Sequence, residues 1–228
     1  QQVRAKATWT VAGALMEWAA KNFDFVLELS VTHLLISLVP LVLGSVLAFA
    51  LVRLTPLKLA GTIGTTFSAI YAIPSLAVFV ALPAVIGTSY LGPTNVVIAL
   101  SIYVAAAMFF SIRDAFSQVP KPTVFIARAQ GLSPLQLFVH VELPLAIPGL
   151  IAGLRVAAAS TVSMASIGAI VGVRNLGYLF LDGFQRKIPE EILTGLFAIF
   201  IIGIALDLGL WALGKVLTPW TRRSAQRV

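Results

Sequence analysis

Five runs of about twenty residues with almost no charge constrain this chain more than any other feature. A helix rising about 1.5 Å per residue needs about 20 apolar residues to cross about 30 Å of hydrocarbon. Residues 31–52, 59–86, 94–112, 148–172 and 191–214 reach that length. The second run is interrupted at Ile73-Pro74 and again at Pro83. Each proline removes a backbone donor and crowds the preceding turn, so a bend is expected there. The reading is an all-α, polytopic membrane protein of about five transmembrane helices. Composition agrees: 59% of the 228 residues are hydrophobic and 11% are charged, against about 25% charged in an ordinary soluble domain.

Several function classes drop out at once. The chain has no cysteine, so thiol chemistry and cysteine-based metal sites are excluded. Its two histidines, His33 and His140, stand far apart, and no metal site is expected; His33, at the outer edge of the first run, reads as an interfacial hydrogen-bonding residue. The net charge of +7 does not indicate nucleic acid, because the basic residues are scattered and flank the apolar runs. No catalytic constellation is present, and the chain is not expected to be an enzyme.

Five spans place the termini on opposite sides. Arg53, Lys58, Arg113, Lys121, Arg128, Lys215, Arg222, Arg223 and Arg227 fall on one side, and Arg4, Lys6, Lys21, Arg174, Arg186 and Lys187 on the other. The positive-inside tendency then puts the N-terminus outside, with the 113–147 loop and the C-terminus inside. Residues 1–30 carry Val3, Ala7, Val11, Leu15 and Trp18 at helical spacing, with Trp9 near a basic end, and read as an interfacial helical segment. A short sixth span is the competing reading. Residues 31–214 form the transmembrane domain and 215–228 a basic cytoplasmic tail.

The 113–147 loop is too polar and too rich in proline to cross a bilayer. Within it, Ala127-Arg128-Ala129-Gln130-Gly131-Leu132-Ser133-Pro134 reads as a helix, a glycine stop and a Ser-Pro restart. Gly131 suits a C-terminal cap with positive φ, Ser133 an N-cap, and Pro134 the first helical position. The second helix is expected to end at Leu143-Pro144.

At these residues the chain resembles the permeases of type I ABC importers. Their cytoplasmic loop follows Glu-Ala-Ala, three residues, Gly, nine residues, Ile, one residue, Leu-Pro. Here Gly131, Val141 and Leu143-Pro144 keep the spacing and Ala127 keeps the last alanine, while Phe125 and Ile126 replace the Glu and the first Ala. Ile73-Pro74-Ser75-Leu76, the 141–148 stretch, Ala152-Gly153-Leu154-Arg155 and Asn175-Leu176-Gly177 resemble the glycine betaine/carnitine/choline (osmoprotectant) branch.

The resemblance implies a membrane-spanning subunit of an ATP-driven importer in the bacterial cytoplasmic membrane. Its implied partners are an ATPase dimer that binds ATP and Mg, a second permease subunit, an extracytoplasmic substrate-binding protein and the bilayer. No cofactor is expected on this chain. Ala127, Arg128, Ala129, Gly131, Leu132, Ser133, Pro134, Leu143 and Pro144 would form the ATPase-coupling loop. The alternatives are an ABC permease for another small solute, such as an amino acid or another betaine, and a secondary transporter or channel subunit with no ATPase.

Other features stand without the family. Arg155 and Asp207 lie at similar depth in antiparallel spans, and charges in hydrocarbon tend to pair. Glycines four apart at 149 and 153, and at 168 and 172, allow close helix approach. Tyr71, Pro74, Ser75, Ser160, Ser163 and Ser166 are candidates for lining a path or for helix packing, because irregular backbone at membrane depth is tolerated where it is buried or faces a cavity.

Overall fold

The computed structural model describes the backbone of residues 2–90 and 92–220, and the side chains of 12–56, 58–90 and 92–220. Ten α-helices fill that range, and no strand occurs among the described residues. They are α1 (Gln2–Lys21), α2 (Phe23–Leu54), α3 (Leu57–Ala72), α4 (Ser75–Ile86), α5 (Pro93–Ser117), α6 (Lys121–Ala129), α7 (Pro134–Leu137), α8 (Leu143–Ala165), α9 (Tyr178–Arg186) and α10 (Pro189–Leu217).

Four continuous helical stretches are long and apolar enough to cross a membrane: α2, α5, the 134–171 rod that contains α8, and α10. The broken pair α3–α4 makes a fifth if it is one span; its two halves meet at 106°. The bend falls at Pro74 as expected, but Pro83 lies inside α4 without breaking it. With only 12 residues in α4, the missing donor of Pro83 falls near the helix end, where little helix remains to be redirected.

The helices overrun the apolar runs at nearly every boundary. α2 starts at Phe23, eight residues before the start of the expected span, so 23–30 belong to the first long helix. Leu29 is fully buried there against Leu176 and Leu179. Trp18, at the described end of α1, packs on the same cluster beside Ile199 and Ile202 of α10. The expectation for Val3, Ala7, Trp9 and Val11 lies outside the described side chains, and that for Arg222, Arg223 and Arg227 outside the described residues. α5 continues through Arg113 and Asp114 to Ser117. Arg113 stays helical because its guanidinium reaches back to the Ala60 carbonyl, 3.0 Å away.

α5 is the central element, wrapped by α2, α8, α3 and α4. Leu41 and Ala48 of α2, Val104, Met108 and Ile112 of α5, and Ala157 and Ala158 of α8 make one core. Ile36, Phe79, Val96, Leu100 and Ala165 make the next. Small residues set the spacing. A Cβ on Gly44 would lie 2.5 Å from the Ser101 carbonyl oxygen, and one on Gly153 would lie 2.4 Å from Ser111 Cβ. Gly149 meets Ala115 in the same way, so the 149/153 pair packs α8 onto α5. The 168/172 pair has a split purpose: Gly168 meets Val96 and Asn175, whereas Gly172 has φ +82 and ends a 3-10 turn. The outward faces of α2 and α10 expose Val31, Leu35, Val42, Phe197, Phe200, Ile201 and Leu208, the apolar belt that a lipid solvent favours.

Candidate functional site

The 121–137 unit is built by local hydrogen bonding. α6 closes with two reverse bonds, from the N–H of Leu132 to the Ala127 carbonyl and from that of Gly131 to the Arg128 carbonyl. This is the Schellman closure, and it needs the positive φ, +86°, that Gly131 adopts. The chain restarts with a reciprocal capping box: Gln136 donates its N–H to Ser133 Oγ, and Ser133 donates its N–H to Gln136 Oε1. Pro134 takes the first position of α7. Gly131, Ser133 and Pro134 therefore form one tight turn, as their residue types predict.

The second helix does not end at Leu143-Pro144. A wide π turn, Phe138–Glu142, joins α7 to α8, so helix runs from 134 to 171. The N–H of Leu143 reaches the carbonyl five residues back, at Phe138. Pro144 has no N–H for the carbonyl four residues before it, and a widened turn is a common way for a helix to absorb such a residue. Pro148 then sits inside α8. The last part of the polar loop, from Pro134, and the fourth span are thus one rod.

Ala127 is buried at 7% exposure, which fixes how α6 rests on the body, and Leu137 is buried on α7. Phe125, Ile126 and Leu135 project outward at 74%, 56% and 71% exposure. Arg128, Ala129, Gly131, Ser133 and Pro134 are also exposed, and Leu132 is half-buried. Beside α6 lies a cleft of about 490 Å³ lined by Arg53, Phe116, Lys121, Val124, Phe125, Arg128 and Glu142. Arg53 lies over the Phe138 ring, 4.4 Å from its centre, and Phe49, Phe116 and Phe138 pack together under it. The ends of α2 and α5 are thereby tied to the base of the rod.

Farther along the rod, Arg155 donates from Nε and Nη2 to the two carboxylate oxygens of Asp207, both at 2.6 Å. This is the bidentate fork of a guanidinium on a carboxylate, and it ties α8 to α10. The expected pair forms within one chain. Ala152, Val156, Ala159 and Ser163 make an exposed stripe on α8, with Ser160 and Ser166 half-buried at its edge. Ser166 Oγ donates to the Ser163 carbonyl at 2.7 Å.

At the α3–α4 break, Tyr71 and Pro74 are exposed and Ser75 is half-buried. The Tyr103 hydroxyl of α5 donates to the Ile73 carbonyl, supplying a partner to a group that the break releases. Tyr71 stands edge-on to Tyr103 with ring centres 6.0 Å apart. The candidate path residues therefore occupy two separate elements, the break and the α8 stripe.

Local chemistry does not single out the first and third of the following features, and it places the second, His33, at the membrane edge. A hydroxyl-rich face of α3, with Thr62, Thr65, Thr66 and Ser68, is exposed along an apolar helix. His33 is fully buried rather than at the edge, bonded through Nε2 to the Val162 carbonyl at 3.1 Å. Asn175, also fully buried, donates to the Ala165 carbonyl and accepts from the Gly177 N–H. Its motif is a clamp at the end of the rod remote from α7, and a Cβ on Gly177 would fall 1.9 Å from the Ser166 carbonyl oxygen. Next to it, Asp182 holds Arg186 at 2.9 Å and raises the guanidinium pKa, by hydrogen bond first and charge second.

Residues 40–223 match the family described as binding-protein-dependent transport system inner membrane component. The chain belongs to this family. As such a permease it is a multi-pass inner-membrane subunit that is not itself catalytic, and the family works with an ATPase, a substrate-binding protein and a second permease.

The permease is 33% identical over 138 residues to the ergothioneine transport permease/ergothioneine binding protein EgtU of Helicobacter pylori. That match covers 60% of this chain but 24% of the relative, so the chain spans about a quarter of that protein. It is 27% identical to the carnitine transport permease protein OpuCB of Listeria monocytogenes, covering 93% of this chain and 97% of the relative. To the choline transport system permease protein OpuBB of Bacillus subtilis it is 29% identical, covering 90% and 94%. Among solved structures, the inward-facing MetNI methionine ABC transporter superposes with a TM-score of 0.74 at 20% identity, covering 86% of this chain and 97% of that one. That similarity shows the fold.

Proposed function

We propose that this permease forms the translocation path of an ATP-driven importer for a compact quaternary-ammonium or zwitterionic solute such as glycine betaine, carnitine or choline. The observation that carries the coupling is the exposed α6–α7 unit at the base of a rod that runs unbroken through the membrane. A displacement of α6 would turn that rod, whose fork to Asp207 carries α10 with it. Such a rigid two-state element is what a nucleotide-driven partner can bias. The near end-to-end similarity to carnitine and choline permeases supports the solute class.

In this reading an ATPase dimer holding ATP and Mg docks on α6 and its copy in a second permease. A binding protein delivers the solute from the opposite side. Lys121 and Arg128 lie at the cytoplasmic end with Arg53, and Arg174 and Arg186 at the external end. The N-terminus is outside and the C-terminus inside. Ala127, Arg128, Ala129, Gly131, Leu132, Ser133, Pro134, Leu143 and Pro144 act as the coupling loop, and the α8 stripe with Tyr71, Pro74 and Ser75 lines the path.

The test is uptake of radiolabelled glycine betaine, carnitine and choline into proteoliposomes holding the complex purified through this chain. Uptake that requires internal ATP and the binding protein is expected. Uptake indifferent to ATP would overturn the reading. A second reading, ergothioneine as the solute, rests on the 33% match to the ergothioneine permease, and competition by unlabelled ergothioneine in the same assay separates the two.

A further inference from the structure

From Ala115 to Val141 the chain has no carboxylate. Every formal charge in that stretch is positive: Lys121 and Arg128, with His140 the only other ionisable group. The nearest acids, Asp114 and Glu142, flank it. On α6 the large apolar residues Phe125 and Ile126 project at 74% and 56% exposure, where the resembled family carries Glu and Ala. Lys121, Phe125 and Arg128 are spaced i, i+4, i+7 and share one cleft wall, so they form a single stripe. Neither Lys121 nor Arg128 forms an ion pair within 4 Å among the described residues. Water covers such cations at little cost, but it does not favour an exposed phenylalanine next to an isoleucine and, across the turn, Leu135.

We infer that the polarity of the ATPase contact is inverted in this transporter: the partner's groove is apolar where Phe125 enters and acidic at its rim, facing Lys121 and Arg128. The inference rests on the reading that α6 is the ATPase-docking element. Its physical content is that α6 and α7 carry no carboxylate to meet a basic groove, the cleft's one acid, Glu142, standing half-buried behind them at the base of the rod. Any charge-assisted contact made by α6 or α7 must therefore run from a permease cation to a carboxylate of the ATPase. Phe125 is the anchor, because a rigid aromatic that enters a dry pocket typically dominates an interface. Arg128 and Lys121 set orientation and rate of encounter from the rim.

The experiment uses the complex purified in detergent from its native membrane through a tag on this chain. It measures ATPase subunit retained with salt raised from about 0.05 to about 0.5 M, over which exposed charge pairs are progressively screened, and ATP-driven uptake after the same complex is reconstituted into proteoliposomes. The wild-type complex is expected to hold across that range. Phe125→Leu should keep retention, Phe125→Ala should lose about tenfold or more, and Phe125→Glu should lose more than Phe125→Ala. Arg128→Glu should weaken retention most at low salt, with Arg128→Gln intermediate.

Retention by Phe125→Glu equal to or better than wild type would show a basic groove and overturn the inference. So would an Arg128→Glu effect seen in nanodiscs of anionic lipid but absent in neutral lipid, because the cations would then serve the membrane surface. If wild type retains no ATPase at all, the docking reading itself fails, an outcome distinct from these. Phe125 is three-quarters exposed, so its variants keep the fold, and expression level with thermal stability checks this.

Discussion

Arg155 and Asp207 show what a single pair can carry in this molecule. Two charges in apolar helices persist because each neutralises the other through a fork of two short hydrogen bonds. Asp207→Asn leaves the guanidinium half-partnered, and we expect a severalfold drop in ATP-driven uptake with a lower melting temperature in detergent. The exchanged pair, Arg155→Asp with Asp207→Arg, should recover part of both. Unchanged uptake and assembly in Asp207→Asn would remove any functional weight from the pair. The contact was legible in the sequence because depth and charge sign suffice to find it. Asn175 was legible only as a piece of a resembled motif, since a buried amide that bonds its own turn has no periodic signature. Asn175→Ala leaves the Gly177 N–H without its acceptor and removes a second bond from the Ala165 carbonyl, which should cost about 2 kcal/mol. Thermal unfolding of the purified chain reads that loss, and an unshifted melting temperature would show that the clamp is dispensable.

At the scale of elements, the apolar runs located every helix long and apolar enough to cross a membrane, but not its ends. Hydropathy marks what lies in hydrocarbon, while helix ends answer to capping and packing. Arg113 therefore extends α5 past the run by reaching a backbone oxygen on α3, and Leu29 draws α2 back to Phe23 by filling a core. Proline was the weaker guide. Pro74 bends the chain, Pro83 does not, and Pro144 is absorbed by a wide turn. At the Pro74 bend the Ile73 carbonyl, left outside α3, is taken up by the Tyr103 hydroxyl. Glycine spacing was informative for the same reason that packing is: Gly153 has no room for a Cβ, whereas Gly203 has nothing within 4 Å. Gly153→Leu should separate α8 from α5 and cut the yield of folded protein severely. Gly203→Ala should leave yield unchanged, and fluorescence-detected size-exclusion profiles compare the two.

For the whole molecule, sidedness is the property that a count of lysines and arginines addresses. The structure gathers Arg53, Phe116 and Phe138 at one end, and Arg174, Glu28, Phe25 and Tyr178 at the other. Because the chain has no cysteine, single reporters can be placed without background. Ser133→Cys should react with a membrane-impermeant maleimide only in inside-out vesicles, and Gln185→Cys only in right-side-out ones. The reverse pattern would invert the topology and remove the coupling loop from the ATPase side.

The wide turn at Phe138–Glu142 has a mechanical meaning as well. A helix advances about 100° per residue, so one surplus residue stored in a turn is an angular offset between the two shafts it joins. That offset aims α7, and the Gly131 elbow with it, relative to the stripe on α8. Removing one residue from the turn would restore even winding and rotate the α6–α7 end by about a quarter of a circle. Every membrane contact would survive, but the loop would point the wrong way, like a key cut correctly and soldered to its bow at the wrong angle.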